Sequence, residues 1–415
     1  MIPTGKTKMI FSYLKNNCIF KISFINLNPK FMKGNSFTSL FIFSIVILFL
    51  ITLTSKESKA YPRFAAYTGD KCMDCHVDPT GGTMRNGGGI GYAKKNLNMD
   101  MFKKISEKTQ FTPKISDAIS VGGDVRIAQV DNQVEGRSNF NSFLAMQGDL
   151  YVNAELNKVL NVFVTSGIDI PGIDAQYEVY GMISNLPANT YFKVGLYKPD
   201  YGLKIVEHRA YQRKYLWNAP YNTNTGFELG ISPEWFSMNV GLYNPMNQDF
   251  LDMDPHKMFV GNTDFNFAFN KLNFNVNVGG SFFNNPHNTS DSAFTATITA
   301  VNQGFGGYTR MGFLKRIAFL GEIDFQQYTS DFPMVRSMFG YAELNVIVVK
   351  GVEVRSQYEY YDKNRDITGD HIQRISGGVG LFPFFGFETE LMVRFPIEDP
   401  EKKNDEFQWN FHFYF

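Results

Sequence analysis

Apolar and polar side chains alternate one by one over most of the chain that follows Val121. Within residues 272–278, for example, each apolar side chain is separated from the next by an asparagine. Successive side chains of a strand point to opposite faces of a sheet, so each such run predicts a strand with one apolar and one polar face. The clearest runs are Leu150–Leu156, Val159–Ile168, Tyr191–Tyr197, Phe236–Tyr243, Phe265–Phe269, Leu272–Val278, Ile317–Tyr328, Val352–Tyr360 and Phe387–Phe395.

The runs number sixteen or seventeen, and sixteen if Ser292–Leu314 is a single long strand. Short links such as Leu156–Val159 and Phe269–Leu272 predict tight turns. The longer polar stretches, which predict loops, are Asn218–Thr225, Asn244–Lys257, Phe283–Ser292 and Asp362–Asp370. Short turns at one end, long loops at the other and an even number of strands are typical of transmembrane barrels in the bacterial outer membrane.

The last run carries aromatic side chains at every second position. The residues that share this face are Phe407, Trp409, Phe411, Phe413 and Phe415, and the residues between them include Gln408, Asn410 and His412. An aromatic outward face suits contact with lipid, whereas a soluble barrel would expose it to water. We therefore expect an all-β fold, a transmembrane antiparallel β-barrel of about 16 strands (14–18) over residues 118–415, in contact with outer-membrane lipid.

A 14-residue apolar run, Leu40–Leu53, lies near the start of the chain. It is short for a membrane-spanning helix, which needs about 20 apolar residues, and it has the length of a signal-peptide core. A lysine precedes it, and Ser58 and Ala60 supply the small residues of a cleavage site. We therefore predict that residues 1–60 are a signal peptide, with Met32 as an alternative start. The other interpretation is an uncleaved membrane anchor.

The whole chain has 40 basic and 40 acidic residues and is formally neutral. Residues 1–60 contain eight lysines and one acid, so the mature chain keeps 32 basic and 39 acidic residues and has a formal charge of −7. Nucleic-acid binding requires a basic face, so we expect no nucleic-acid partner. The charge of −7 suits a metal cation or a basic cytochrome partner instead.

Cys72 and Cys75 are the only cysteines of the mature chain, and they occur in the sequence Cys-Met-Asp-Cys-His at 72–76. In this motif two thiols on one helical turn form thioethers with the haem vinyl groups, and the histidine binds the iron. We therefore predict one covalent haem c, held by Cys72 and Cys75, with His76 as an axial ligand of the iron. A redox dithiol and a zinc site are the alternatives, but no thioredoxin-like sequence surrounds the motif and the next histidine is His208.

The second axial position of the iron has three candidate ligands nearby in the sequence, which are Met84, Met99 and Met101. A His/Met pair is a common axial arrangement in cytochromes. We prefer Met84, because the flexible sequence Pro-Thr-Gly-Gly at 79–82 precedes it and can fold back over the haem. The alternative is that these methionines only pack against the macrocycle or the chain. The bases that either pair with haem propionates or form a solvated segment are Arg63, Arg85, Lys94 and Lys95.

Residues 61–117 connect the predicted signal peptide to the predicted barrel. Six glycines lie within the eleven positions from Gly81 to Gly91, which predicts loop rather than regular structure. So short a segment buries too little surface to be stable alone. We therefore expect it to pack against the barrel as a small N-terminal haem c plug or cap.

The order of these parts resembles the fused monohaem cytochrome–porins of bacterial outer membranes. The sequence Tyr-Pro-Arg-Phe-Ala at 61–65 and the Thr-Gly pair at 68–69 are similar to the lead-in of that family, and the residue-level resemblance covers about 61–76. The resemblance implies that Cys72 and Cys75 hold the haem, that His76 binds its iron, and that the protein transfers electrons across the outer membrane. The family is best known for oxidising extracellular ferrous iron. Residues 77–82 differ from the segment expected in iron oxidases, which leaves the substrate open.

We therefore expect an exported outer-membrane protein that moves electrons between an extracellular donor or acceptor and a periplasmic c-type cytochrome or other electron carrier. Whether it is a metal (iron) oxidoreductase stays open, and the scattered histidines predict no further catalytic site. The alternative function is a solute-conducting porin in which the haem segment is a redox gate or sensor. A soluble periplasmic cytochrome with a β-sandwich is disfavoured by the aromatic face of the last strand.

Overall fold

The structure of the protein is a computed structural model. It describes residues 62–108, 111–133, 139–167, 177–205, 207, 209–216, 222–245, 254–290, 296–397 and 404–415. The predicted signal peptide lies outside these described residues, and the described chain belongs to one compact unit. Among the described residues, no helix is long and apolar enough to cross a membrane.

Sixteen antiparallel strands, all within the described residues, close into a single barrel in which each strand pairs with its neighbours in sequence. The strands are β1 (Ile119–Asn132), β2 (Phe140–Glu155), β3 (Leu160–Gly167), β4 (Tyr177–Leu186), β5 (Thr190–Tyr197), β6 (Asn224–Ile231), β7 (Phe236–Tyr243), β8 (Met258–Phe269), β9 (Phe274–Ser290), β10 (Thr297–Phe313), β11 (Ile317–Thr329), β12 (Val335–Val349), β13 (Val352–Asp362), β14 (Ile372–Leu381), β15 (Phe387–Ile397) and β16 (Glu406–Tyr414). β1 pairs with β16 to close the barrel, and Asp124 lies opposite Tyr414. The predicted all-β barrel of about 16 strands is confirmed.

Side chains alternate between the outer and inner faces of the wall as the sequence predicts. In β16, Phe407, Trp409 and Phe413 are 37%, 40% and 47% exposed, whereas Gln408 and His412 are buried in the interior. An outer face of exposed apolar side chains suits lipid, and an interior of polar side chains suits a lumen. The register predicted for the last strand is therefore correct.

Connections after even-numbered strands, from β2 to β14, have two to five residues, whereas those after odd-numbered strands have five to 26. We name these two ends of the barrel the short-turn end and the long-loop end. The prediction that Phe283–Ser292 is a loop is wrong, because β9 continues to Ser290 and Pro286 pairs with Val301. Where strands extend beyond the lipid, their outer face is not required to be apolar. Polar residues there can therefore continue a strand.

We name residues 62–117 the plug, and its described residues, 62–108 and 111–117, lie within the barrel and across one of its ends. Arg63 contacts Glu353 on β13, and Asp78 contacts Lys193 on β5, eight strands away around the wall. Contacts with both sides of a closed barrel require the plug to occupy its lumen. The α-helices of the described chain are α1 (Pro62–Thr68), α2 (Gly87–Tyr92) and α3 (Lys103–Lys108) in the plug and α4 (Tyr211–Tyr215) in the connection that follows β5.

We name the connection between β5 and β6, residues 198–223, the inward loop, and its described residues also enter the lumen. The hydroxyl group of Tyr201 donates a hydrogen bond to Asp324 on β11 at 3.0 Å. The backbone N–H of Tyr211 donates to Glu359 on β13 at 2.7 Å. The lumen therefore contains two segments of the chain. The plug joins the wall at the short-turn end, and the inward loop enters from the long-loop end.

Candidate haem-attachment site

The Cys-Met-Asp-Cys-His sequence forms a tight helical turn in the plug. A 3₁₀ turn spans Cys72–Asp74, and the carbonyl oxygen of Cys72 accepts hydrogen bonds from the backbone N–H groups of Cys75 at 3.1 Å and His76 at 3.0 Å. The backbone N–H of Lys71 donates to the carboxylate of Asp74 at 3.1 Å, which closes the start of the turn. Two cysteines and the following histidine on one turn are the arrangement that covalent haem attachment needs.

Asn86 holds this turn from the facing segment of the plug. Its side-chain amide donates to the carbonyl oxygens of Met73 and His76, each at 3.0 Å. Its backbone N–H donates to the carbonyl oxygen of Cys75 at 2.8 Å. Its side-chain oxygen accepts from two N–H groups in the first turn of α2 and so caps that helix. One side chain therefore fixes both the motif and the helix that packs on it.

The prediction of loop over the glycine-rich stretch is wrong at Gly87–Tyr92, which is α2. A β-carbon on Gly88 would collide with the carbonyl oxygen of Asp74, and one on Gly89 would collide with that of Cys75. Glycine has a low helix propensity, which is why the sequence indicated a loop. The contact with the motif requires glycine here, and the Asn86 cap offsets the low propensity.

A cavity that is partly continuous with solvent lies between the plug, the inward loop and the wall. We name it the central cavity. Cys72 and His76 both line it. The basic residues that line it and suit propionate groups are Lys71, Arg85, Arg126, Lys204 and Arg310.

Cys75 lines a second, smaller cavity together with Phe64 and Tyr92. Arg85 lines both cavities, so they adjoin. The structure thus brings Cys72 and His76 to one space and puts Cys75 at the neighbouring one. The two thiols and the histidine on one turn, with the bases around the central cavity, are the kinds of group that a covalently attached haem needs.

Three of the four bases considered for propionate pairing have other roles. Arg63 is paired with carboxylates of the wall, and the ammonium group of Lys94 donates to the carbonyl oxygen of Phe111. Lys95 is exposed at the short-turn end. Arg85 alone of the four lines the central cavity. Of these four bases, Arg63 and Arg85 attach the plug to the wall of the barrel.

Burial raises the pKa of the Cys72 thiol, although Arg310 and Lys204 act in the opposite direction. A redox dithiol depends on a lowered thiol pKa, because the thiolate is the reactive form. The surroundings of Cys72 therefore weigh against the redox-dithiol interpretation of the motif.

Met84 is fully buried, and its carbonyl oxygen accepts a hydrogen bond from Val77 at 3.1 Å. Its neighbours Thr83 and Arg85 line the central cavity, whereas its own side chain packs beside Gly122 on β1. A role for Met84 as the second axial ligand stays a prediction, and it requires the side chain to leave this packing. The other candidates, which lie away from the cavity, are Met99 and Met101.

Buried charges attach the plug to β1, β15 and β16. Arg85 lies 3.1 Å from Asp124 on β1, and Arg63 lies 3.0 Å from Glu388 on β15. His412 on β16 joins the two pairs, because its Nε2 atom is 2.6 Å from Asp124 and its Nδ1 atom is 3.2 Å from Glu388. We name these five residues the plug latch. Leaving one buried charge without its partner costs about 3–5 kcal/mol, so the latch resists release of the plug.

On the opposite side of the barrel interior, Lys193 has no exposed surface and lies between two carboxylates. It is 3.0 Å from Asp78 of the plug and 3.2 Å from Glu228 on β6. Burial raises the pKa of Asp78, but Lys193 and Lys204 lower it by more, so that it falls to about 2. Asp78 is therefore ionised at neutral pH, and charge holds the plug on both sides of the lumen.

Solved structures of outer-membrane channels match this chain. An anion-selective porin from Comamonas acidovorans has a TM-score of 0.53 and 10% identity, covering 72% of this chain and 99% of the porin. The outer membrane channel DcaP of Acinetobacter baumannii has a TM-score of 0.52 and 9% identity, covering 74% and 100%. OmpT of Vibrio cholerae, folded in vitro, has a TM-score of 0.52 and 11% identity, covering 72% and 98%. The fold is that of an outer-membrane porin.

The predicted outer-membrane localisation is thereby confirmed at the level of the fold. No protein-family model matches the chain, and no curated protein matches it. At identities near 10% the likeness shows the fold alone. The haem, its ligands and electron transfer stay predictions.

Sequence reasoning missed Asn86, the plug latch and the inward loop. An asparagine directly before a helix is a recognised cap signal, but the glycines that follow Asn86 concealed the helix. The latch joins residues far apart in sequence, since Arg63 and Glu388 are separated by 325 positions. The inward loop is longer than any other connection, and that length is the one signal that could have indicated it.

Proposed function

We propose that the protein is a monohaem c-type cytochrome fused to a porin-like barrel, and that it moves electrons between an extracellular donor or acceptor and periplasmic carriers. One observation carries this proposal. The Cys-x-x-Cys-His turn is held inside a closed outer-membrane-type barrel, beside a cavity that Cys72 and His76 both line. A cofactor in that position would be shielded from the lipid by the wall of the barrel.

The residues of the plug have distinct roles in this proposal. Cys72 and Cys75 would hold the haem covalently, and His76 would bind its iron. The bound haem would supply one-electron chemistry. Asn86 fixes the backbone of the motif, so that the histidine keeps one orientation relative to the two thiols. Lys204 donates to Thr80 at 2.7 Å, which fixes the segment after the motif against the inward loop.

A second candidate is a solute-conducting porin in which the haem segment is a redox gate or sensor. The porin-like fold favours it, since the matched proteins include an anion-selective porin. The filled lumen favours the electron conduit, because the plug and the inward loop both cross the path that a solute would take. Release of the plug would be needed before solutes could pass.

The first test is haem attachment. We expect the purified protein to retain haem on a denaturing gel and to give the pyridine haemochrome spectrum of haem c. The double variant Cys72→Ala, Cys75→Ala should lose this haem, since both thioether bonds are removed, while barrel assembly is kept. Met73→Ala, between the two cysteines, is the matched control and should keep the haem. Covalent haem in the double variant, or none in the parent protein, would refute the assignment.

The second measurement separates the two candidates. In a planar lipid bilayer we expect the parent protein to stay closed in both the oxidised and the reduced state, because buried charge pairs hold the plug on both sides. A conductance that opens with reduction or oxidation would favour the redox-gated porin and exclude a purely electron-conducting role.

A further inference from the structure

The plug residues that follow α2 lie across the mouth of the barrel at its short-turn end. The backbone N–H of Met99 donates to the carbonyl oxygen of Phe382, in the turn after β14, at 3.0 Å. The ammonium group of Lys350, in the turn after β12, lies 3.3 Å from Asp100. Residues 99–108 therefore form part of the surface that faces out of the barrel at this end, which is the periplasmic end in outer-membrane barrels.

This surface is basic. Among the described residues at the short-turn end, ten basic residues are exposed but only four acidic residues are. The exposed bases on the plug are Lys95, Lys103, Lys104, Lys108 and Lys114. The exposed bases on the turns are Lys158, Lys271, Lys315, Arg316 and Lys350. The exposed acids are Asp100, Glu107, Asp117 and Glu234.

The opposite end has the opposite charge. By sequence, the connections at the long-loop end other than the inward loop contain fourteen acidic and six basic residues. The formal charge of −7 is therefore concentrated away from the short-turn end. The formal charge of the whole mature chain led to the expectation of a basic cytochrome partner. Because the charge is unevenly distributed, a partner at the periplasmic end is expected to be acidic instead.

Apolar side chains are exposed within the basic surface. Met101 is 79% exposed and Ile105 is 50% exposed. Lys103 and Lys104 lie between them in the sequence, and Lys108 lies three positions after Ile105. A small apolar centre surrounded by charge is typical of transient protein contacts, in which charge guides the encounter and the apolar centre supplies contact area. Transient redox encounters are small and do not require a large apolar interface.

We propose that this surface, formed by Lys95, Met101, Lys103, Lys104, Ile105 and Lys108 and named the basic mouth, docks an acidic soluble electron-carrier protein of the periplasm. The inference rests on the proposed function, which needs a carrier to exchange electrons at this end of the barrel. The carrier is identified by its chemistry, a negatively charged rim around its exposed redox centre. Its docking brings that centre to the plug, in which the Cys-x-x-Cys-His turn lies.

Binding is measured with the full-length protein in nanodiscs of uncharged phosphatidylcholine. Flavodoxin serves as an acidic electron-transfer protein, and mitochondrial cytochrome c as a basic one. We expect flavodoxin to bind more tightly, and its binding to weaken between about 0.05 and 0.5 M salt, because screening shortens the reach of the charges. The triple variant Lys95→Glu, Lys103→Glu, Lys104→Glu should weaken flavodoxin binding by about tenfold or more. The matched control Lys363→Glu, Arg365→Glu at the long-loop end should bind like the parent.

The outcomes separate docking from haem chemistry, because binding requires no electron transfer. Binding by the Cys72→Ala, Cys75→Ala variant together with absence of haem in the parent would sustain the basic mouth and refute the proposed function. Equal binding of both carriers, or no effect of the triple variant, would overturn the docking proposal. Loss of binding to phosphatidylglycerol vesicles by the triple variant, with flavodoxin binding unchanged, would assign the surface to lipid and would also overturn it.

Discussion

The wall of the barrel and the plug within it are held by different forces. On the outer face of the wall, Val194 and Ile323 are 50% and 49% exposed, and the strands are joined by a continuous ladder of backbone hydrogen bonds. The plug is attached by buried side-chain charges such as Arg63 and Lys193, together with apolar contacts between its helices and the inner face of the wall. The wall therefore tolerates many apolar sequences, whereas the plug depends on particular charged partners.

This difference determines what each region does when it is perturbed. A strand in the wall keeps its backbone bonds when one side chain changes, so a change on the outer face acts through contact with lipid. A plug residue that loses its partner leaves an opposite charge buried in the lumen. Damage to the plug is therefore expected to leave an intact barrel, and damage to the wall to prevent assembly.

The largest effect is expected from Lys193→Ala. It leaves Asp78 and Glu228 facing each other without their shared cation, which costs about 3–5 kcal/mol for a buried pair that loses one partner. We expect the plug to become accessible to protease while the barrel stays folded on semi-native gels. The control Lys315→Ala, at an exposed turn, should change neither. A plug that stays protected in Lys193→Ala would contradict this account of its attachment.

A somewhat smaller effect is expected from Ile323→Arg on the outer face of β11. An arginine on the lipid face near the middle of the membrane costs about 2–4 kcal/mol. Assembly in lipid vesicles, followed by the gel shift of the folded barrel, should fall, whereas Ile323→Leu should assemble normally. Normal assembly of the arginine variant would mean that this face is covered by something other than lipid.

The smallest effect is expected from Asn86→Ala, which removes a helix cap worth about 1 kcal/mol and two contacts with the motif. The barrel should assemble fully, but the fraction of chains with covalent haem should fall, because the motif is less well fixed. Asn96→Ala, at an exposed position of the plug, is the control. Equal haem content in both variants would limit Asn86 to a structural role in α2.

The sequence predicted the wall much better than the plug. The alternation predicts both ends of β7, Phe236–Tyr243, correctly and the ends of β13 and β15 to within two residues. It is this accurate because lipid on one face and the lumen on the other require different side chains at successive positions. The same logic failed at β2, which begins at Phe140, well before the predicted Leu150. That part of the strand pairs with β1 but has weak alternation.

The motif itself could be predicted because its chemistry is local to five residues. Its surroundings could not, because they are set by contacts between distant residues. Arg63, for example, meets Glu353 and Glu388 only once the barrel is closed. Propensity also misled at Gly88 and Gly89, where a close backbone contact outweighs the preference of glycine for loops.

The burial of Cys75, which is only 2% exposed, sets an order of events during biogenesis. Enzymes that join haem to a polypeptide must reach both thiols, and the closed barrel surrounds them. The cofactor of the proposed cytochrome therefore has to be attached in the periplasm, while the exported chain is still open, and the strands must close around a plug that already carries it.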